Sequence, residues 1–144
     1  MKRRSWLPLI IGTLATAVLV SIIVLIAFLA IPQPAIVNNV EYILGDSREY
    51  SHEDLMAATS VIIEDFKRFD ECELLTIRYD EDFSDLEHSL SMAPEHSIVF
   101  TIDFYANPNA GDGLNKDYTY TDFKYYLERV ESNGVWRVIT SGYA

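Results

Sequence analysis

Cysteine is almost absent from this sequence, since Cys72 is the only one in 144 residues. An intramolecular disulfide is therefore excluded, and a folded domain must be stabilised by its core alone. No catalytic signature surrounds Cys72, and at the start of an apolar strand we expect a small buried side chain rather than a nucleophile. The three histidines, His52, His88 and His96, also lack the spacing of a zinc site.

Basic residues are scarce as well, with 11 lysines and arginines against 22 aspartates and glutamates. Three of the 11 lie in the first four positions, which leaves eight basic residues to face all the acidic ones in the rest of the chain. Such a surplus of negative charge repels phosphate groups, so we expect no nucleic-acid partner. Phosphate-loop and GxSxG signatures are missing too, and we assign no catalytic residue, no cofactor-binding residue and no cofactor.

Charge is missing altogether from Leu7 to Ile31. This length of apolar residues predicts a transmembrane helix, with the lipid bilayer as its partner. Met-Lys-Arg-Arg precedes it, so the positive-inside rule places the N-terminus in the cytoplasm. A cleaved secretory signal is the alternative, but the apolar run is longer than such signals carry, which favours an uncleaved signal anchor.

The predicted organisation is therefore that of a single-pass protein of the cell membrane. Its parts are a cytoplasmic basic tip (1–6), the transmembrane helix (7–31), a tether (32–49) and an extracytoplasmic domain (50–144). Val40, Tyr42 and Leu44 alternate within the tether and permit a short edge strand there.

A helix opens the predicted domain at Ser51-x-x-Asp54, which fits a capping box. Apolar residues then recur every three or four positions to about Phe69, which predicts one buried face. A second signature of this type, Ser84-x-x-Glu87, predicts a short helix that ends before Pro94.

Strands are predicted at Cys72 to Tyr79, with Leu75, Ile77 and Tyr79 on one face, and at Ser97 to Tyr105. Asn133-Gly134 predicts a two-residue type I′ turn between two further strands. In that register Leu127 faces Thr140, Arg129 faces Val138 and Glu131 faces Trp136, and Trp136 lies on the face covered by the helix.

The element order predicts an α+β domain in which one long helix packs on a four-stranded antiparallel sheet. We expect a curved sheet of the cystatin or NTF2-like kind.

Two patterns keep other functions open. Asp80, Asp82 and Ser84 resemble the start of a calcium loop, and Asp80, Asp82 and Asp85 are the metal candidates. The resemblance stops at the sixth position, where glycine is required and Asp85 stands, so a solvated connection before a helix explains the same acids.

An enzyme with a pocket between helix and sheet is the other alternative. Asp103 is an acid within an otherwise apolar strand, where burial would raise its pKa and make it a possible general base. Strand parity places it opposite Ile98 and Phe100, on the outer face of the sheet.

Several short motifs occur in a characteristic order. They are Phe69-x-x-Cys72-x-Leu74, Tyr79-Asp80-Glu81, Gly111 to Asn115, Tyr118 to Phe123, Asn133 to Trp136 and Gly142-Tyr143. In these motifs the sequence resembles a small extracytoplasmic domain of uncharacterised membrane-anchored and lipid-anchored proteins of clostridia-type bacteria. A similar domain is appended to some beta-lactam-sensor-type membrane proteins. The resemblance covers about Gly45 to Tyr143 and implies a non-enzymatic module without assigned catalytic residues. We therefore expect a domain that binds or senses an extracytoplasmic ligand or protein.

Overall fold

The chain divides into two compact units, Met1–Pro32 and Gln33–Ala144. The computed structural model describes residues 7–29, 31–94, 96–130 and 134–143. The first unit contains α1 (Leu7–Leu29), and its side chains are described over residues 16–28.

The predicted single-pass membrane anchor over Leu7 to Ile31 is contradicted. A bilayer requires about 20 consecutive apolar residues in one helix. Among the described residues, no helix is both long enough and apolar enough to cross a membrane. Three further predictions depended on that helix and are contradicted with it. They are the signal anchor, the location in the cell membrane and the division into cytoplasmic and extracytoplasmic parts.

Over its described residues, the second unit contains two helices and five strands. In chain order they are β1 (Glu41–Leu44), α2 (His52–Phe66), β2 (Cys72–Tyr79), α3 (Glu81–Ser89), β3 (Ser97–Ala106), β4 (Tyr118–Arg129) and β5 (Trp136–Gly142).

Helix α2 begins where the sequence predicts, because Ser51 caps it. The Ser51 hydroxyl accepts a hydrogen bond from the Asp54 backbone N–H at 3.1 Å, and the Asp54 carboxylate accepts one from the Ser51 N–H at 3.3 Å. The predicted capping box is thus confirmed. The helix ends at Phe66, earlier than the predicted end near Phe69. Its buried face consists of Leu55, Ala58, Thr59, Ile62 and Phe66.

The sheet has the strand order β1-β2-β3-β4-β5. Strand β1 runs parallel to β2, whereas the other three pairs are antiparallel. The predicted four-stranded antiparallel sheet of the cystatin or NTF2-like kind, with one long helix, is therefore wrong.

The additional strand lies in the segment 32–49, which the sequence suggested was a tether. The alternation of Val40, Tyr42 and Leu44 permits a short edge strand there, and β1 at the edge of the sheet confirms it. Its parallel pairing with β2, far along the chain, was not predicted. The segment is bound before β1 begins, because the Ile36 N–H donates to the Cys72 carbonyl at 2.8 Å and the Leu74 N–H donates to the Ile36 carbonyl at 2.9 Å.

Irregularities in the ladder decide which side chains face α2. Between Leu74 and Thr76 the pairing of β2 with β3 shifts, so Leu75 is bulged. Cys72 and Leu74 consequently join Ile77 and Tyr79 in the core, and the predicted place of Leu75 on that face is wrong.

The last hairpin has a different register from the predicted one. Leu127 faces Val138 and Arg129 faces Trp136. The Val130 N–H donates to the Val135 carbonyl at 2.9 Å, so the loop between them is longer than the predicted two-residue turn. Asn133, on which that turn depended, lies outside the described residues. Trp136 is nevertheless buried in the core cluster, which confirms the predicted face. A shift of the register by two residues preserves the face to which each side chain points.

Helix α3 has a different cap from the predicted one. Its N-cap is Asp80, whose carboxylate accepts a hydrogen bond from the Phe83 N–H at 3.0 Å. Ser84, the predicted cap, lies inside the helix and is buried. Its hydroxyl accepts a hydrogen bond from the Val99 N–H at 3.2 Å, which ties α3 to β3.

Truncation of Trp136 tests the assignment of the two faces of β5. The Trp136 ring lies edge-on to Tyr50 with centroids 5.4 Å apart, and Trp136→Ala should lower the free energy of unfolding by about 3 to 5 kcal/mol. Arg137 points the other way with a side chain 67% exposed, and Arg137→Ala should cost less than about 1 kcal/mol. Urea unfolding of the full chain measures both, and equal costs would contradict the assignment.

Candidate functional site: a cleft between α3 and the sheet

The sheet face opposite α2 carries most of the buried charge of the second unit. We call it the second face. Helix α3 covers part of it, and the polar side chains there include Arg78, Thr101, Asp103, Lys124 and Tyr126.

Asp103 is held by a bidentate ion pair at the centre of this face. The Arg78 guanidinium donates from Nη1 to Oδ1 at 2.8 Å and from Nη2 to Oδ2. The Asp122 backbone N–H donates to the same carboxylate at 3.1 Å. Asp122 can reach it because its φ of 55° bulges β4 at this point.

The ion pair decides what Asp103 can do chemically. The hydrogen bond from Arg78 lowers the pKa of Asp103 and outweighs the opposing effect of burial. Burial does raise this pKa, as predicted, but the net shift is downward, so the prediction of a raised pKa and of a possible general base is wrong. The predicted position on the face opposite Ile98 and Phe100 is confirmed. A carboxylate with a lowered pKa is a weak general base at neutral pH.

A second buried ion pair attaches α3 to the sheet. Lys124 Nζ lies 3.0 Å from both carboxylate oxygens of Glu87, and the Tyr126 hydroxyl donates to Glu87 Oε2 at 3.1 Å. Burial, with the Glu87 carboxylate beside it, raises the pKa of Tyr126 to about 12. Glu87 is thus bound by two donors and is not available for chemistry.

A shallow cleft of about 210 Å³ remains between the start of α3 and strands β2, β3 and β4. Its charged groups are the Arg78 guanidinium and the carboxylates of Asp80 and Asp122. The other lining residues are Phe83, Val99 and Thr101. We call this the α3 cleft.

The charge of the α3 cleft is negative, because Asp103 already engages Arg78. Asp122 approaches the guanidinium only to 3.9 Å and its side chain is 76% exposed. Asp80 uses one carboxylate oxygen as the cap of α3 and forms no ion pair with a described residue. Asp80 therefore faces the cleft without an ion-pair partner among the described residues, and Asp122 has only a long ion pair with Arg78.

A second hollow, of about 350 Å³, lies beside the loop Gly111 to Leu114. Its cation, Arg68, is bound 3.0 Å from the Asp65 carboxylate and 3.1 Å from the Ser141 hydroxyl. Apart from Leu114 and Phe69, the lining is polar or backbone, and we find no argument for a ligand here.

The metal candidates do not form a calcium loop. Residues 81–89 are helical, so Asp82 and Asp85 lie on α3, with Asp80 as its cap. Asp85 forms an ion pair with Arg48 at 2.8 Å. Among the described residues, no group of three or more His, Cys, Asp or Glu side chains is arranged to hold a metal ion.

Cys72 is buried in the core, as predicted. Burial, with Asp70 and Glu71 nearby, raises the pKa of its thiol to about 11. A thiol with such a pKa is a poor nucleophile at neutral pH.

Arg78, Lys124 and Glu87 were not predicted from the sequence as interior groups. The signal available in the sequence was the alternation along each strand, since Arg78 and Lys124 alternate with the core residues of their strands.

Comparison of the chain with protein-family models, with curated proteins and with solved structures finds no match. The resemblance drawn from the sequence motifs therefore stays a prediction.

Loss of Lys124 should destabilise the unit far more than loss of an exposed lysine. The side chain of Lys124 is 14% exposed, and Lys124→Met leaves a buried Glu87 carboxylate without its counterion, at a cost of about 3 kcal/mol. Addition of Glu87→Gln should recover most of this loss, because the amide oxygen still accepts from Tyr126. Lys67→Met, which breaks an exposed pair with Glu64, is the control and should cost less than about 1 kcal/mol. Urea unfolding measures all three, and equal losses for Lys124→Met and Lys67→Met would contradict the account.

The Cys72 thiol should resist alkylation in the folded chain. A pKa of about 11 leaves roughly a hundredfold less thiolate at pH 8 than an unperturbed thiol has. We expect reaction with iodoacetamide at pH 8 to be at least about a hundredfold slower in buffer than in unfolding concentrations of urea. Similar rates in both conditions would show that the thiol is accessible and ionised in the folded state.

Proposed function

We propose that the unit Gln33–Ala144 is a non-catalytic binding module, and that the α3 cleft takes a ligand with a protonated amine. The single observation that carries the proposal is the bidentate Arg78–Asp103 pair. It occupies the one guanidinium of the cleft, so the carboxylates of Asp80 and Asp122 are left to attract a cation.

The groups that would serve an enzyme are engaged elsewhere. Asp103 is stabilised as a carboxylate, Glu87 is bound by Lys124 and Tyr126, and Cys72 is buried. Acid–base catalysis requires a group with a pKa near the working pH and a free path to its substrate. These three residues do not meet that requirement, which supports binding without catalysis.

The walls of the α3 cleft suit the aliphatic part of an amine ligand. Phe83 and Val99 supply apolar surface, and Thr101 supplies a hydroxyl beside the carboxylates. An alkylammonium group can donate its N–H bonds to Asp80 and Asp122 while its chain lies on Phe83. A cavity of about 210 Å³ accommodates only a small group, so the ligand is either a small amine or an amine side chain of a larger molecule.

The probe is n-butylammonium, with n-butanol as its neutral control. We expect saturable binding of the amine by isothermal titration calorimetry and about tenfold weaker binding of the alcohol, because charge supplies most of the attraction. Asp80→Asn keeps the cap of α3 and should weaken amine binding about three- to tenfold, as should Asp122→Asn.

Asp85→Asn is the matched control, because it removes a carboxylate of α3 that pairs with Arg48 outside the α3 cleft. Its affinity for n-butylammonium should equal that of the unaltered chain. Equal weakening by Asp85→Asn would reduce the effect to general attraction by an acidic surface. Equal affinity for n-butanol and n-butylammonium would also contradict the proposal.

A further inference from the structure

Three tyrosines cluster where β4 begins and β5 ends. We call them the tyrosine surface: Tyr118, Tyr120 and Tyr143. The Tyr118 ring stands nearly perpendicular to that of Tyr120, with centroids 5.0 Å apart at 79°. Tyr143 lies 6.1 Å from Tyr120 at an interplanar angle of 33°. The rings of Tyr118 and Tyr143 therefore both contact the ring of Tyr120, in different orientations.

The third ring forms the floor of the tyrosine surface. Tyr120 is buried and stacks on Phe104, with centroids 4.8 Å apart at 10°. Tyr118 is 50% exposed and Tyr143 is 56% exposed. Two half-exposed aromatic rings that both contact one buried ring are unusual on a surface that has no apolar partner to cover.

Two of the three rings, those of Tyr120 and Tyr143, are held by hydrogen bonds without any ligand. The Tyr143 hydroxyl donates to the Thr121 carbonyl at 2.9 Å, and its ring packs edge-on to Phe123 at 5.4 Å. The Asn115 N–H donates to the Tyr120 hydroxyl at 2.5 Å. A ligand that binds here loses little free energy to the ordering of side chains.

The surroundings of the tyrosine surface are negative. Burial raises the pKa of the Tyr143 phenol, and the neighbouring Tyr118 and Tyr120 phenols and the Asp122 and Asp103 carboxylates raise it further. Asp122, whose side chain is 76% exposed, follows Thr121, the residue whose carbonyl accepts the Tyr143 hydrogen bond, so an exposed carboxylate lies beside this surface. Charge complementarity favours a cation, and ring faces attract cations through their quadrupoles.

We propose that the tyrosine surface binds an organic cation without N–H donors, of the quaternary ammonium class. Exposed ring faces, rather than carboxylate oxygens, offer most of its contact area, and ring faces need no hydrogen from the ligand. The α3 cleft differs in this respect, because Asp80 and Asp122 line it with acceptors for N–H bonds. The two sites therefore select different cations, and this inference does not depend on the amine site.

The probe is choline, compared with its uncharged isostere 3,3-dimethylbutan-1-ol. Tyrosine ring signals of the full chain are followed by NMR during each titration. We expect saturable shifts of Tyr118 and Tyr143 with choline, and at least about fivefold weaker binding of the isostere. Equal affinities for the two, or no saturation below about 100 mM choline, would overturn the proposal.

Substitutions separate the ring face from the hydroxyl. Tyr118→Leu and Tyr143→Leu should each weaken choline binding about three- to fivefold, whereas Tyr118→Phe and Tyr143→Phe should retain it. Tyr42→Leu, at an exposed tyrosine of β1, is the matched control and should change nothing. Losses as large in the phenylalanine variants as in the leucine variants would overturn recognition by ring faces, and so would equal loss in Tyr42→Leu.

Asp80→Asn distinguishes this proposal from the amine site. That variant should leave choline affinity unchanged while it weakens n-butylammonium, so either site can fail without the other. The Phe variants keep the packing on Tyr120, and the isostere comparison uses the unaltered chain, so the test stands even if a leucine variant unfolds.

Discussion

The constraint on which the second unit depends is the burial of β3 on both of its faces. Ile98, Phe100 and Ile102 meet the core under α2, and on the second face Val99, Thr101 and Asp103 are also buried. A charge in such a strand is costly unless it is paired and hydrogen-bonded. Arg78 pairs with the Asp103 carboxylate, and the Asp122 N–H donates a hydrogen bond to it. The need to compensate this buried charge determines where both groups lie.

The same constraint explains why the interior acids are structural. Glu87 lies where α3 closes over β3 and β4, and its two partners there are Lys124 and Tyr126. Once these acids are bound, the groups left to meet a ligand lie at the margin of the sheet. Asp122 has both a structural and an exposed group. Its backbone N–H donates to Asp103, while its carboxylate faces solvent beside the α3 cleft and the tyrosine surface.

Local signals in the sequence were sufficient for the elements that form from near neighbours. The capping box at Ser51 predicted the start of α2, and the apolar alternation predicted β2 and most of β3. Features that depend on distant partners were not accessible. The alternation of Val40, Tyr42 and Leu44 permitted β1, but its parallel pairing with β2 joins segments on either side of α2 and left no signal in the sequence.

The α3 cleft was only partly predictable for a related reason. Parity placed Asp103 on the outer face, but its partner depends on the register of β2 against β3, which a helix and not a tight turn connects. The bulge at Leu75 and the positive φ of Asp122 leave no signature in the pattern of apolar residues. At α3 the sequence predicted Ser84 as the cap, but Asp80 caps the helix and the Ser84 hydroxyl binds the Val99 N–H instead.

The protonation of Asp103 tests the account most directly, because a structural carboxylate and a catalytic base differ in pKa. The Asp103 carboxyl carbon can be followed by NMR as the pH is lowered. A pKa below the ordinary aspartate value of about 3.9 is expected, since Arg78 stabilises the charged form. The stability that this pair contributes is then complete above that ordinary value and is lost as the pH falls through the lower pKa of the folded state. A midpoint above about 5 would mean that burial dominates over the ion pair, and Asp103 would again be a candidate base.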